Sequence, residues 1–187
     1  RYLRYVVGVV DAPELDLNMS REILQQTPQI QAIRKQISKK LLKLLKTESE
    51  SQPEAYEGFW SEFGHILKEG VQDTGESTKT AITALLRYPT TRHPDGQRSL
   101  AQVKLDMGEG TDAIWYYTSV DKARIAQAPV LEGFKKRDEE VLLMADPVDE
   151  WVVLSVGEYE ETPLKSVMSG NLADDEDEDD PIAKAAR

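Results

Sequence analysis

AIWYYTSVDKARIAQAPVLEGFKKRDEEVLLMA, residues 113–145, is the stretch whose reading decides the fold. Its ends are short apolar runs, residues 113–118 and 141–145, rich in the aromatic and β-branched side chains that suit strands. Between them residues 121–137 read as a helix interrupted near Pro129, because proline lacks the N–H of a helical turn and pushes its predecessor out of helical geometry. The order strand, helix, strand favours parallel strands joined by a right-handed crossover, and therefore a small α/β layer.

Toward the carboxyl end, Asp146-Pro147 closes the second strand, residues 148–156 read either as a short helix or as another strand, and residues 163–167 as a further strand. Glu158, Glu160 and Glu161 keep the intervening turn in water. Trp151 directly follows Asp149-Glu150, which brings an indole and carboxylates together near the end of a strand. Two readings stay open: a protein-recognition patch with an aromatic anchor, or an indole packed under its own sheet. From residue 171 to 187 apolar content falls and DDEDEDD (Asp174 to Asp180) dominates, which reads as a flexible linker or tail.

Toward the amino end, TTRHPDGQ (residues 90–97) is loop chemistry with an Asp95-Gly96 turn, and here the main internal boundary is expected. Three amphipathic helices precede it. In the first, Thr27 caps, Pro28 takes the first position, Ile30, Ile33, Ile37, Leu41, Leu44 and Leu45 form the inward face, and Lys35, Lys39, Lys43 and Lys46 the solvated one. A polar break over residues 47–52 leads to a second helix, with Ser51 and Glu54 at capping-box spacing. Its dense stripe of Tyr56, Phe59, Trp60, Phe63, Ile66, Leu67 and Val71 points to burial between helices. The third helix, capped by Ser77, turns Ala81, Ile82, Leu85 and Leu86 inward and ends at Pro89. Residues 5–10 read as a strand without an obvious partner, stopped by Asp11-Ala12-Pro13. The fold class is thus mixed α/β: an amphipathic helical coil followed by a small α/β layered subdomain.

Composition narrows the function classes. The net charge of −11 is owed largely to the acidic tail, so the remainder is only mildly acidic and carries no nucleic-acid footprint. Cysteine is absent, which excludes disulfides, thiol catalysis and cysteine-ligated zinc. No apolar run has membrane-spanning length and no signal-peptide pattern opens the chain, so a cytoplasmic location is expected. Starting at Arg1, the chain reads as cut from something longer.

A self-sufficient active site is not expected. His65 and His93 are too isolated for paired zinc-ligand spacing, no glycine-rich phosphate loop follows a strand, and the serines lack a nucleophile-elbow context. The candidate for chemistry is Arg21 within NMSREILQQ (residues 18–26), a short tethered loop able to aim a permanent cation and its fork of donors at a phosphate. A surface arginine beside Glu22 is the alternative.

The chain resembles the ninety-kilodalton heat-shock chaperone family, in particular its bacterial members. The resemblance rests on GVVD (residues 8–11), LNMSREILQQ (17–26), IRKQISKK (33–40), FWSEFG and LKEG (59–64 and 67–70), LLRY (85–88), IWYYT (114–118) and EVLLMADPVDEW (140–151), in family order. It implies the later part of the middle segment: residues 1–18 a strand and loop left from a preceding larger α/β subdomain, 19–89 a catalytic loop and three-helix coil, 90–170 the small α/β subdomain, and 171–187 the acidic linker to an absent dimerisation domain. It also implies that Arg21 reaches the γ-phosphate of ATP held by a separate amino-terminal domain, assisted by Gln25, and that Glu150 and Trp151 contact client proteins. ATP and Mg2+ then belong to the full-length protein, with none bound by this chain alone. The expected partners are unfolded or partly folded clients, the chain's own ATP-binding and dimerisation domains, and a second copy in a full-length homodimer, with no nucleic acid and no membrane. Two departures stand out: Leu154 occupies a position where a polar residue is expected, and Asp138 one where a turn glycine is expected. The competing reading is a stand-alone, acidic-tailed interaction adaptor without ATPase linkage.

Overall fold

A computed structural model describes residues 2–11, 27–72, 75–108 and 110–169. They fall into two compact units, Arg1–Leu85 and Leu86–Arg187.

Helices build the first unit. Helix α1 (Pro28–Ser51) starts as its sequence dictates, with the Thr27 hydroxyl accepting from Ile30 N–H at 3.4 Å and Pro28 in the first turn. It does not stop at the polar stretch 47–52. The hydroxyls there bond back into the helix, Thr47 Oγ1 donating to Lys43 C=O and Ser51 Oγ to Thr47 C=O, while Lys46 and Glu50 pair at 3.0 Å. Ser51 is therefore the last residue of α1, and Gln52 stands at the cap of helix α2 (Pro53–Lys68) without a side-chain cap bond. The inward face of α1 is also rotated from expectation, with Leu42 buried and Leu44 and Ile37 exposed.

Helix α2 buries its aromatic stripe as expected. Tyr56, Trp60 and Leu67 are buried, Phe59 packs on Phe63 at 5.5 Å, and the Tyr56 hydroxyl donates to Leu85 C=O at 2.8 Å. Gly64 lies one turn beyond Trp60, and a Cβ there would come within 2.7 Å of the indole, so this position requires glycine. A 3-10 turn (Glu69–Val71) leads toward helix α3 (Glu76–Thr83), capped by Gly75 with Ser77 already inside the first turn. Ile82 and Leu85 are fully buried.

The strand expected over residues 5–10 is not formed. Residues 2–5 make a turn and residues 6–11 carry no strand pairing, with Val7 and Val9 almost fully exposed. β-branched sequence cannot hold a strand when its N–H and C=O groups find no neighbouring ladder. What anchors this segment is its aromatics: the Tyr5 ring lies 4.9 Å from Phe63 and 5.5 Å from Phe59.

The second unit opens with a hairpin that the sequence reading missed. Strand β1 (Arg87–Tyr88) pairs antiparallel with β2 (Arg98–Ser99), so α3 ends at Thr83, well before Pro89. Gly96 N–H returns to His93 C=O at 3.2 Å, closing a turn that contains the expected Asp95-Gly96 pair. Ser99 then caps helix α4 (Leu100–Leu105) in a complete capping box with Gln102. Beyond it the expected layer appears. Strand β3 (Ile114–Thr118) runs parallel to β4 (Val141–Met144), Trp115 opposite Val141 and Thr118 opposite Met144. The connection is more broken than one interrupted helix: 3-10 turns at Ile125–Gln127 and Pro129–Leu131 precede a short helix α5 (Glu132–Lys136).

Asp138 follows α5 with φ 57°, and Glu139 N–H reaches Phe134 C=O at 2.9 Å. This is a helix-ending motif that normally selects glycine and tolerates aspartate. The ambiguous stretch after β4 is a helix, α6 (Asp149–Val156), followed by β5 (Glu158–Tyr159) and β6 (Thr162–Ser166). The sheet order is β4-β3-β6-β5, with β6 also parallel to β3 and β5 antiparallel to β6. Ile125, Leu131, Phe134, Val141, Leu143 and Val167 form the core on one face. The free edge of β4 is covered by residues 89–91: Leu143 N–H donates to Pro89 C=O at 2.8 Å, Thr91 N–H to Val141 C=O at 3.0 Å, and Thr90 bridges Leu142.

Candidate functional site

Arg21 and Gln25, and the acidic tail, lie outside the described residues. Glu150 and Trp151 lie on the first turn of α6, just beyond the end of β4. The chain turns at Asp146-Pro147, where Asp149 N–H donates to Asp146 C=O at 2.9 Å and Asp146 N–H donates to Asp149 Oδ2 at 3.0 Å. Asp149 is buried, and its other oxygen accepts from the Tyr88 hydroxyl at 3.3 Å. A buried carboxylate bonded on both oxygens fixes the start of α6, and its charge suits the positive end of the helix. Burial, reinforced by the Asp149 charge, pushes the Tyr88 phenol well above its ordinary range.

With Asp149, Val152 and Val153 buried, helical geometry sends the opposite face outward. Trp151 is 57% exposed, Leu154 one turn later is 75% exposed, and Glu150 lies on the exposed side with no ion pair among the described residues. Of the two readings of Trp151, packing beneath the sheet is excluded. Sequence reasoning did not assign Asp149 its anchoring part or Leu154 its place beside Trp151. The Asp146-x-x-Asp149 spacing was the available signal for the first, and the i, i+3 spacing of Trp151 and Leu154 for the second.

A second polar cluster pins the hairpin to β4. Buried Glu140 accepts from Thr90 Oγ1 at 2.5 Å and from Arg98 Nη2 at 3.4 Å, with His93 Nδ1 also at 3.4 Å. Arg98 reaches Asp106 as well, and this hydrogen bond holds the Asp106 carboxyl below the usual carboxylate range. His65 is exposed on α2. Among the described residues no group of three His, Asp or Glu side chains is arranged to hold a metal ion, and no helix is long and apolar enough to cross a membrane.

The profile of the Hsp90 protein family matches residues 1–186. Among curated relatives, Chaperone protein HtpG of Chromobacterium violaceum is 47% identical over 173 residues, covering 91% of this chain and 27% of the relative. The protein of the same name from Francisella tularensis subsp. novicida is 43% identical over 173 residues with the same coverage, and that from Mycobacterium leprae 39% identical over 186 residues, covering 100% of this chain and 28% of the relative. The chain spans little more than a quarter of the length of these relatives, and it belongs to the Hsp90 protein family.

Proposed function

We propose that this chain is a segment of an ATP-dependent molecular chaperone that contacts client proteins and completes an ATPase site carried by another domain. The observation that carries the reading is the outward-facing Trp151, with Glu150 beside it, on a helix whose start is fixed by the buried Asp149, in a chain of the Hsp90 family. An apolar anchor with a charged neighbour suits unfolded or partly folded polypeptide, because such chains display side chains that a native surface hides.

In this reading Arg21 supplies a fork of donors and a permanent positive charge to the γ-phosphate of ATP, and Gln25 assists. ATP and Mg2+ are held by a separate amino-terminal domain of the full-length protein. The isolated chain hydrolyses nothing. The full-length protein is a cytoplasmic homodimer, joined through a dimerisation domain beyond the acidic linker, and its partners do not include nucleic acid or membrane.

Arg21→Ala in the full-length protein tests the catalytic half: nucleotide binding survives while turnover falls by about a thousandfold, the scale of an arginine finger. Unchanged turnover would remove Arg21 from the site. For the client half, Trp151→Arg in the same protein weakens client binding and refolding while leaving basal hydrolysis unaltered.

A further inference from the structure

Three exposed apolar side chains of the second unit follow the three parallel strands at the same end. Val120, 88% exposed, stands two residues after β3; Met168, 59% exposed, stands two residues after β6; and Trp151 sits on α6, the helix that follows β4. Register sets β3 and β4 to end together, Thr118 opposite Met144, while β6 ends at Ser166 opposite Tyr116, two residues short of the end of β3. Ser119 N–H extends the ladder to Met144 C=O at 3.0 Å, and Lys122 Nζ bonds Asp146 Oδ1 at 2.8 Å. The loop bearing Val120 is thereby tied to the turn that leads into α6. Strands β4 and β6 flank β3, so they are separated by roughly 10 Å, the reach of about three extended residues. Open sheets bind ligands at the carboxyl ends of their parallel strands.

Charge selects the occupant. Of the carboxylates at this edge, Asp146 is paired with Lys122, Asp149 is buried on the Tyr88 hydroxyl, and Asp121 accepts from the N–H groups of Ala123 and Arg124 and pairs with the Arg124 guanidinium at 4.0 Å. Glu150 is exposed with no ion pair among the described residues. A second copy of the chain would bring Glu150 toward an edge carrying the same unpaired carboxylate. A basic segment would complement it.

We propose that this carboxyl edge is one contact surface for an unfolded polypeptide segment that combines apolar and basic side chains, with Val120 and Met168 extending the contact made by Glu150 and Trp151. The inference rests on the reading of Glu150 and Trp151 as client contacts. The test is a fluorescence-anisotropy titration of the chain with a labelled, unstructured peptide of leucine, valine and lysine, alongside a twin with glutamate in place of lysine. Val120→Asp and Met168→Asp each weaken binding of the lysine peptide on the order of fivefold or more, the loss expected at an energetically important contact. Leu105→Asp, at an exposed site on α4, leaves it unchanged, and the glutamate twin binds more weakly. Circular dichroism verifies the fold, with the serine variants at both positions giving the same readout should either aspartate unfold the chain. If Trp151→Arg weakens binding and the two aspartate variants do not, the extension is wrong and the client reading stands. If Trp151→Arg leaves binding intact, the client reading fails and the proposal with it. Equal binding of both peptides overturns the charge preference, and a change in sedimentation in place of peptide binding assigns the edge to a second copy and overturns the proposal.

Discussion

Trp60 and Trp151 both sit on helices, each with a carboxylate among its near neighbours in sequence, and the protein treats them in opposite ways. Trp60 is 7% exposed, one member of a stripe that recurs along a sixteen-residue helix and packs within its own unit. Trp151 is 57% exposed on an eight-residue helix whose inward face is already filled by Asp149, Val152 and Val153. The difference lies in the company each residue keeps along its helix. A stripe several turns long must be buried somewhere, whereas a single indole on a short helix goes where the neighbouring valines leave it.

The sharpest way to break this comparison is truncation of both indoles. Trp60→Ala should cost about 3–5 kcal/mol in urea unfolding, the loss for a large buried side chain, whereas Trp151→Ala should stay within about 0.5 kcal/mol. Equal losses would mean that Trp151 belongs to a core. Next in size is a pair of tyrosines. Tyr88→Phe deletes the hydroxyl that donates to buried Asp149 and should destabilise by about 1.5–3 kcal/mol, the range for a hydrogen bond to a charged group. The smallest expected effect has the opposite sign. The Tyr5 hydroxyl is buried among the aromatics of the first unit with no hydrogen-bond partner among the described residues, so Tyr5→Phe should be neutral or stabilising by up to about 1 kcal/mol.

The same two phenols make an alkaline test. Burial pushes Tyr5 up to about 12 and raises Tyr88 well beyond its ordinary value of 10.0. A raised folded-state value means that the folded protein holds the proton more tightly. The stabilisation is therefore complete below the unfolded value, near 10, and for Tyr5 is lost as the pH rises through about 12. Unfolding followed from pH 9 upward should show a loss of stability that Tyr5→Phe reduces, and a flat profile for the unsubstituted chain would contradict the burial of both groups.

Much of the fold was legible because its signals are local or strongly periodic. Thr27-Pro28 announces the start of α1, the aromatic stripe announces burial of α2, and the paired apolar runs around residues 113–145 announce parallel strands. The failures share a cause. Ser51-x-x-Glu54 and Ser99-x-x-Gln102 carry equivalent capping patterns, yet only the second is a capping box, because the first serine is still inside a continuing helix and bonds backward to Thr47. A cap depends on where the previous element ends, which its four residues do not contain. Residues 5–10 likewise have strand composition but no ladder beside them. At the candidate site, the sequence placed Glu150 and Trp151 side by side just beyond a strand, as the structure has them, but the exposure of Leu154 and the Asp149 anchor depend on which face of α6 turns inward, and the valines alone do not settle that.

The strap of residues 89–91 has a consequence for how another polypeptide could meet this edge of the sheet. By occupying the backbone groups along the open side of β4, it denies a visiting polypeptide the chance to add itself as another strand there. Recognition by main-chain pairing would read any sequence in a fixed alignment and would also invite these proteins to template one another into fibres. With that route blocked, any polypeptide meeting the β4 side would have to be held there by its side chains, in no set alignment, and could leave without a ladder of hydrogen bonds having to come apart.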